Sequence, residues 1–266
     1  MKTGIVLSGG AARGFAHVGV LRAFEENGIQ IDCVSGASIG ALIGLFHAAG
    51  KTPDEMIDIA KTIKKKKLKA IGPFHFGKTG LDYVEQILKR HIVQRSFDEL
   101  IKPLYVCVTN FQTGKYEIIN TGSIIPAIRA AVAIPIKYGY QNMNGVPYID
   151  GGMTNNLPVE PLKNICETVI GISVNPIVLK EHKMSLRFTL MRLTELMLHE
   201  NEISRIPLCD FHFEIEGLGN IGFEQYDRVC EIELMGYNAA KEFINKNKEL
   251  LCLRIYRKEW NEPSKR

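Results

Sequence analysis

From Cys33 to Phe46 the chain reads CVSGASIGALIGLF, and this stretch constrains the fold more than any other. An apolar run ends at Val34, a hydroxyl is carried through Gly36-Ala37-Ser38-Ile39-Gly40, and Leu42, Ile43, Leu45 and Phe46 follow at helical spacing. Glycines at this density let backbone pass close to backbone, so a sharp, crowded turn between a strand and a helix is expected. The same grammar occurs once before. Ile5-Val6-Leu7 is closed by Ser8-Gly9-Gly10, and Val18, Leu21, Ala23 and Phe24 then recur at helical spacing until Gly28. Two strand-turn-helix units in the first fifty residues predict an α/β fold, three-layer α/β/α, with a mostly parallel central sheet.

The rest of the chain fits one domain over residues 1–266, with a motif-bearing core (3–160), a helical and sheet completion (161–250) and a polar tail (258–266). Pro53 opens a helix that runs into Lys64-Lys65-Lys66-Lys67-Leu68-Lys69, Gly72-Pro73 breaks the chain, and Leu81, Val84, Ile87 and Leu88 mark the next helix. Leu104 to Val108 and Tyr116 to Ile119 read as a hairpin through Thr113-Gly114. Ser123 to Ala133 is helical by composition until Pro135. Val169 to Val174 and Phe211 to Ile215 read as strands, Leu186 to Ser204 as a long helix and Glu224 to Lys248 as a last amphipathic one. Six scattered cysteines without a Cys-x-x-Cys predict reduced thiols in a cytoplasmic protein, and no apolar run is long enough for a signal peptide or a membrane span.

Gly36 to Gly40 fits G-x-S-x-G between strand and helix, the context in which that motif lifts a serine Oγ above a sheet edge as a nucleophile. Ser38 also stands at a helix N-terminus, where unpaired N–H groups favour developing negative charge. The loop Ser8 to Gly14 is a second small-residue turn that would lie beside it if the two strands are neighbours. A nucleotide loop is the competing reading. It is weak, because alanine stands where G-x-G-x-x-G requires its second glycine, and no Lys-Ser or Lys-Thr completes a P-loop.

For a base, Val146 to Pro158 places Asp150 at the end of an apolar strand before Gly151 and Gly152, which clear bulk around it. An ordinary Asp-Gly turn would look the same. The histidines after the serine include His182, His199 and His212; the last two sit in a helix pattern and a strand run, the positions of surface or packing residues. A base of carboxylate type works best with its pKa raised toward working pH, so Asp150 is expected to be enclosed.

The glycine loop Gly9 to Gly14, the turn Gly36 to Gly40, the segment Arg129 to Pro135, and Asp150-Gly151-Gly152 with Asn156-Leu157-Pro158 together resemble the patatin-like phospholipase family, in particular its compact bacterial members. The resemblance spans Gly4 to Pro158. It implies a patatin-like fold and a serine acyl hydrolase, phospholipase A or lysophospholipase in type, that cleaves lipid carboxylic esters through an acyl-serine intermediate without metal or cofactor. Ser38 would be the nucleophile and Asp150 the base. Backbone N–H groups of Gly9, Gly10 and Ala11 would form the oxyanion hole, with Arg13 and Gly14 shaping the loop and Gly36, Gly40, Gly151 and Gly152 supporting the two catalytic turns. Ala11 departs from the family's usual third glycine, and its methyl group would crowd the hole or resist positive φ.

The implied partner is a lipid or acyl-ester substrate, with no role for nucleic acid and no information on oligomeric state. Lys64 to Lys69 beside Ile71, Phe74 and Phe76 suits peripheral contact with an anionic bilayer, at about 1 kcal/mol per basic residue, and equally a solvated helix C-terminus. A net charge of +4 agrees with either. Leu190, Met191, Leu193, Leu196, Met197 and Leu198 have the spacing of a core face or of an acyl groove. Two alternatives stay open: a histidine-dependent esterase using His212, and a lipid-binding or regulatory module in which Ala11 disables the hole.

Overall fold

The computed structural model describes residues 2–63, 78–135, 137–181 and 185–248. Strands β1 (Thr3–Leu7), β2 (Cys33–Ala37), β3 (Leu104–Asn110), β4 (Tyr116–Ile119), β5 (Gln141–Met143), β6 (Val146–Asp150), β7 (Thr168–Ser173) and β8 (Phe211–Glu214) join in one sheet. Neighbours β3, β2, β1, β7 and β8 run parallel, while β4 and β6 pair antiparallel with β3, and β5 with β6. Around the sheet lie α1 (Ala16–Glu26), α2 (Ile39–Ala48), α3 (Pro53–Lys61), α4 (Lys78–His91), α5 (Ile124–Ala131), the single turn α6 (Glu160–Lys163), α7 (Leu186–Ile203) and α8 (Val229–Lys246). The mostly parallel α/β sheet expected from the first fifty residues is present.

Every residue of β2 and β7 is buried, which explains why they read as continuous runs and not as alternating ones. Ile5, Leu7, Val34, Ile170 and Ile172 face the larger core with α1, α2 and α8. Val6, Cys33 and Val169 face a smaller cluster with Leu157 and Leu162 on the other side. Against the larger face, α1 and α8 cross so closely that a Cβ on Gly19 would stand 1.9 Å from the Glu233 carbonyl oxygen, and one on Gly236 1.9 Å from that of Ala16. Two glycines set that crossing.

Boundaries differ where turns intervene. The last helix begins at Val229 and not at Glu224, because Tyr226–Arg228 first form a 3₁₀ turn. The Pro53 helix is started by a Thr52–Glu55 capping box and ends at Lys61. Strand β5 was unforeseen, since Gln141-Asn142-Met143 carries no apolar alternation. The lysine run Lys64 to Lys69, Ile71, Gly72-Pro73, Phe74, Phe76, His182 and the tail 258–266 lie outside the described residues. Among the described residues no helix is long and apolar enough to cross a membrane, and the five described cysteines are free thiols.

Candidate active site

Strand pairing explains how residues 112 positions apart meet. Along one edge of β3, β2 pairs as far as Ala37↔Cys107, and the antiparallel β6 begins its pairing at Asp150↔Val108. The opposite edge is taken by β4, which pairs with Val106 to Thr109. The C-terminal ends of β2 and β6 therefore point at each other over two consecutive residues of β3. Ser38, the first residue beyond β2, donates its hydroxyl to Asp150 Oδ2 at 2.6 Å.

Ser38 sits at φ 51°, ψ −126° as the N-cap of α2, a conformation costing about 1–3 kcal/mol that persists only where the surroundings enforce it. Those surroundings are glycines: a Cβ on Gly36 would meet the Gly40 carbonyl carbon at 2.6 Å, and one on Gly40 the Leu7 carbonyl oxygen at 2.1 Å. Asp150 is 2 % exposed. Burial pushes its carboxyl up to about 7, against the opposing hydrogen bonds from Ser38 and from the Gly152 N–H, which reaches Oδ1 at 2.9 Å. The expected enclosure is present. Gly151 packs on the Cys107 carbonyl, where a side chain has no room.

The loop after β1 meets the same point because β1 and β2 are parallel neighbours in register, Leu7 opposite Gly36. Gly9 lies against Ser38, whose Cβ would be 2.9 Å from a Cβ placed there. Its N–H, however, is already bonded to Asn156, at 3.1 Å to Oδ1 and 3.4 Å to the carbonyl oxygen. Gly9 therefore drops out of the expected trio of donors. Gly10 and Ala11 give their N–H to no acceptor among the described residues, and both line the cleft above Ser38 and Asp150. Ala11 adopts φ 48°, so the methyl group does not prevent the left-handed turn, at a cost of roughly 1–2 kcal/mol.

Arg13 turns away from the serine. Its guanidinium is buried on Glu195, on the Ile221 carbonyl at 2.8 Å and over the Phe223 ring at 4.5 Å, which fixes the loop from behind. Gly14 leaves room for Ile39. No described histidine bonds to Ser38 or Asp150. His212 holds Ser173 at 2.9 Å, and burial pushes it down to about 4, so the proposed histidine base is not at the serine.

Three functional-site contacts escaped the sequence. His17, on the first turn of α1, bonds the Ser8 carbonyl at 2.9 Å, and burial holds it neutral with its pKa pushed down to about 4. Asn175, just beyond β7, bonds the Gly9 carbonyl at 2.6 Å. Glu202 of α7 is buried beneath both asparagines. A polar residue in an otherwise apolar strand end was the available signal for Asn175; Glu202 offered none.

Two spaces meet at Ala11, Ser38 and Ile134. One is an apolar slot lined by Leu42, Phe46, Met56, Ile59, Val84 and Ile87. The other is an open cleft of about 410 Å³ under α7, with Leu190, Met191 and Leu198 on one wall and Lys137, Arg187 and Glu224 at its polar side. Glu224 holds Lys137 at 3.5 Å and Arg187 at 2.6 Å.

A serine hydrogen-bonded directly to an enclosed aspartate, at the carboxyl ends of a mostly parallel sheet, defines a class of α/β protein apart from the Ser-His-Asp hydrolases. Residues 5–163 match the model of the patatin-like phospholipase family, and the chain belongs to that family. It is 32% identical over 178 residues to an uncharacterized NTE family protein of Mycobacterium tuberculosis, covering 65% of this chain and 49% of that one. It is 29% identical over 170 residues to lysophospholipase NTE1 of Cryptococcus neoformans, covering 61% of this chain and 10% of that one. The chain thus spans about half the length of the mycobacterial relatives it matches. Among solved structures it is similar to VipD from Legionella pneumophila, with TM-score 0.54 and 14% identity over 92% of this chain and 67% of that one, a likeness of fold alone.

Proposed function

We propose that the protein is a serine acyl hydrolase of lipid carboxylic esters, of phospholipase A or lysophospholipase type. The observation that carries this reading is the 2.6 Å bond from Ser38 Oγ to an enclosed Asp150 whose pKa is raised to about 7. Such a carboxylate is matched to proton transfer at neutral pH, as an ordinary aspartate is not. Ser38 Oγ attacks the ester carbonyl while Asp150 takes its proton. The negative oxygen is received by the free N–H groups of Gly10 and Ala11, with the N-terminus of α2 behind Ser38. Collapse breaks the ester C–O bond, and Asp150 returns the proton to the departing alcohol. Water, deprotonated by Asp150, then attacks the acyl-serine; the bond from Ser38 Oγ to the acyl carbon breaks, Asp150 returns its proton to Oγ, and the fatty acid leaves.

The lining residues supply a division of labour for the substrate. The apolar slot between α2, α3 and α4 suits an acyl chain, and the cleft bearing Lys137, Arg187 and Glu224 suits the polar remainder. The name of the fungal relative favours a lysophospholipid as the first substrate to try. A peripheral contact with an anionic membrane surface belongs to this proposal as the route by which substrate is met.

Incubation with a fluorophosphonate followed by peptide mass mapping should place one adduct, on Ser38. Fatty-acid release should be measured on lysophospholipids, diacyl phospholipids and short nitrophenyl esters, with Ser38→Ala as blank. Asp150→Asn should lower kcat by about 10⁴-fold or more. In the parent protein kcat/KM should fall as pH drops below about 7, because Asp150 must be ionised to accept a proton. Absence of any adduct on folded protein, together with no fatty acid released above the blank, would end the hydrolase reading and leave a lipid-binding module.

A further inference from the structure

We infer that Glu202 is a positioning residue that aims the Gly10 N–H at the oxyanion, acting through Asn156 and Asn175; this rests on the hydrolase reading above. The geometry begins with one peptide group. The Gly9 carbonyl and the Gly10 N–H belong to the same trans peptide plane, so they point in opposite directions and turn together. Asn175 Nδ2 donates to the Gly9 carbonyl at 2.6 Å, and Asn156 Nδ2 donates to it at 3.3 Å. Holding that carbonyl on the interior side turns the Gly10 N–H to the cleft side, where Gly10 lines the space above Ser38.

Two amides directed at one carbonyl need something to hold them. Glu202 Oε1 accepts from Asn156 Nδ2 at 2.5 Å and from Asn175 Nδ2 at 2.9 Å. Each NH₂ group thus spends one hydrogen on Glu202 and the other on Gly9. Asn156 also takes the Gly9 N–H through Oδ1 at 3.1 Å, so Gly9 is gripped on both sides of its Cα. Ser173 contributes a side-chain hydrogen bond to Glu202, and His212 bonds Ser173 in turn.

This arrangement lies nowhere near free solvent. Asn156 and Asn175 are wholly buried and Glu202 is 1 % exposed. A buried carboxylate is costly to keep, and packing alone is served as well by leucine. What leucine cannot do is accept from both amides. Glu202 also belongs to the helix whose Leu190, Met191 and Leu198 line the cleft, so the wall that touches substrate and the loop that receives the charge are one connected body.

The test uses Glu202→Ala, Glu202→Gln and Asn175→Ala in the full chain, with kcat and KM for a nitrophenyl ester expressed per fluorophosphonate-titrated Ser38. A role confined to folding lowers the number of titrated sites and leaves kcat per site intact. Removing a whole oxyanion donor costs about 10²–10³ in kcat, so misdirecting one predicts a loss of about 10- to 100-fold for Glu202→Ala and Asn175→Ala, with KM within about threefold. Glu202→Gln keeps the Oε1 acceptor and should recover kcat to within about threefold. A double variant carrying Glu202→Ala and Asn175→Ala should lose little more than either single one, because both act on one peptide. Should Glu202→Ala fail to fold, Asn175→Ala carries the same expectation.

Loss within twofold for both alanine variants, or a glutamine variant no better than alanine, overturns the inference while a labelled parent keeps the hydrolase reading. A parent with no label at Ser38 and no turnover overturns both.

Discussion

Helices α7 and α8 are both 18 residues long and both rich in apolar residues, yet they bury opposite kinds of side chain. The inward residues of α8 are Val229, Ile232, Gly236, Ala240, Phe243 and Ile244. Those of α7 are Glu195, Leu198 and Glu202, while Leu186 is 76 % and Leu193 57 % exposed. The reason is what each helix covers. The inner surface beneath α8 is α1 and the apolar face of the sheet, and apolar spacing sorts its residues correctly. Helix α7 lies over a cleft and over glycine loops whose unmet needs are polar, namely the Arg13 guanidinium and the amides holding Gly9. Its leucines are left for the cleft and the surface.

The largest effect expected from this contrast is at the α1–α8 crossing. Gly236→Val places a branched side chain where even a Cβ would be 1.9 Å from a backbone oxygen, and backbone cannot give as a flexible side chain can. Overpacking of that kind costs about 3 kcal/mol or more. Urea titration should show loss of most of the folded state, and a variant as stable as the parent would show that the two helices can separate freely.

Second is Glu195→Ala on α7. Glu195 is held below the ordinary carboxylate range: burial pushes it up, and hydrogen bonds from Lys180, Arg13 and Arg192 outweigh that push. Removing it strands the buried Arg13 charge, and because the Ile221 and Gly219 carbonyls stay on the guanidinium the cost is at the low end for a broken buried pair, about 3 kcal/mol. The same unfolding measurement reads it, and a loss under about 1 kcal/mol would mean that the Ile221 and Gly219 carbonyls already bonded to Arg13 suffice to hold its charge.

These two helices also mark how far the sequence could be read. Ser38 and Asp150 were legible because each follows an apolar strand and precedes glycines, and strand ends are where side chains meet in a parallel sheet. The loop carrying Gly10 and Ala11 was legible as a neighbour of Ser38 for the same reason. That Gly9 would be occupied was not, because its partner Asn156 is 147 residues away and its bond depends on the tertiary path of the chain. Glu195 and Glu202 were hidden by the leucines around them: a periodicity argument assigns apolar residues to a core face or a groove, and Leu190, Met191 and Leu198 do line the cleft, but it passes over the two glutamates that take buried positions beside them.

A third, smaller effect separates the two buried glutamates of α7 by sign. Burial raises Glu202 to about 7 in the folded chain, above its value of about 4.3 when unfolded. Stability from this group is complete below about pH 4 and is lost as pH rises through 7, since only the unfolded chain then ionises easily. Glu202→Gln should abolish that loss, gaining on the parent by about 1–2 kcal/mol between pH 4.5 and 7.5. Glu195 is depressed, so its contribution is fully present above about pH 4.5 and is lost on acidification below it; Glu195→Gln should trail the parent by a constant margin between pH 4.5 and 7.5, and by less as pH falls below 4.5. Urea midpoints at four or five pH values decide it; parallel curves for both variants would mean that the two sites share one electrostatic environment.

The smallest effect is at Leu193, and it sharpens the comparison from the other side. Leu193 is more than half exposed and lines neither the slot nor the cleft, so Leu193→Ser surrenders little burial and chiefly exchanges a good helix former for a poorer one, a matter of about 0.5 kcal/mol. The matched change on α8, Ile232→Ala, empties a fully buried position and should cost about 2–5 kcal/mol. Thermal unfolding of the pair therefore measures the inversion directly. If Leu193→Ser proved as damaging as Ile232→Ala, the leucine would have a covering partner in solution, and the outer face of α7 would belong with the core faces that its spacing imitates.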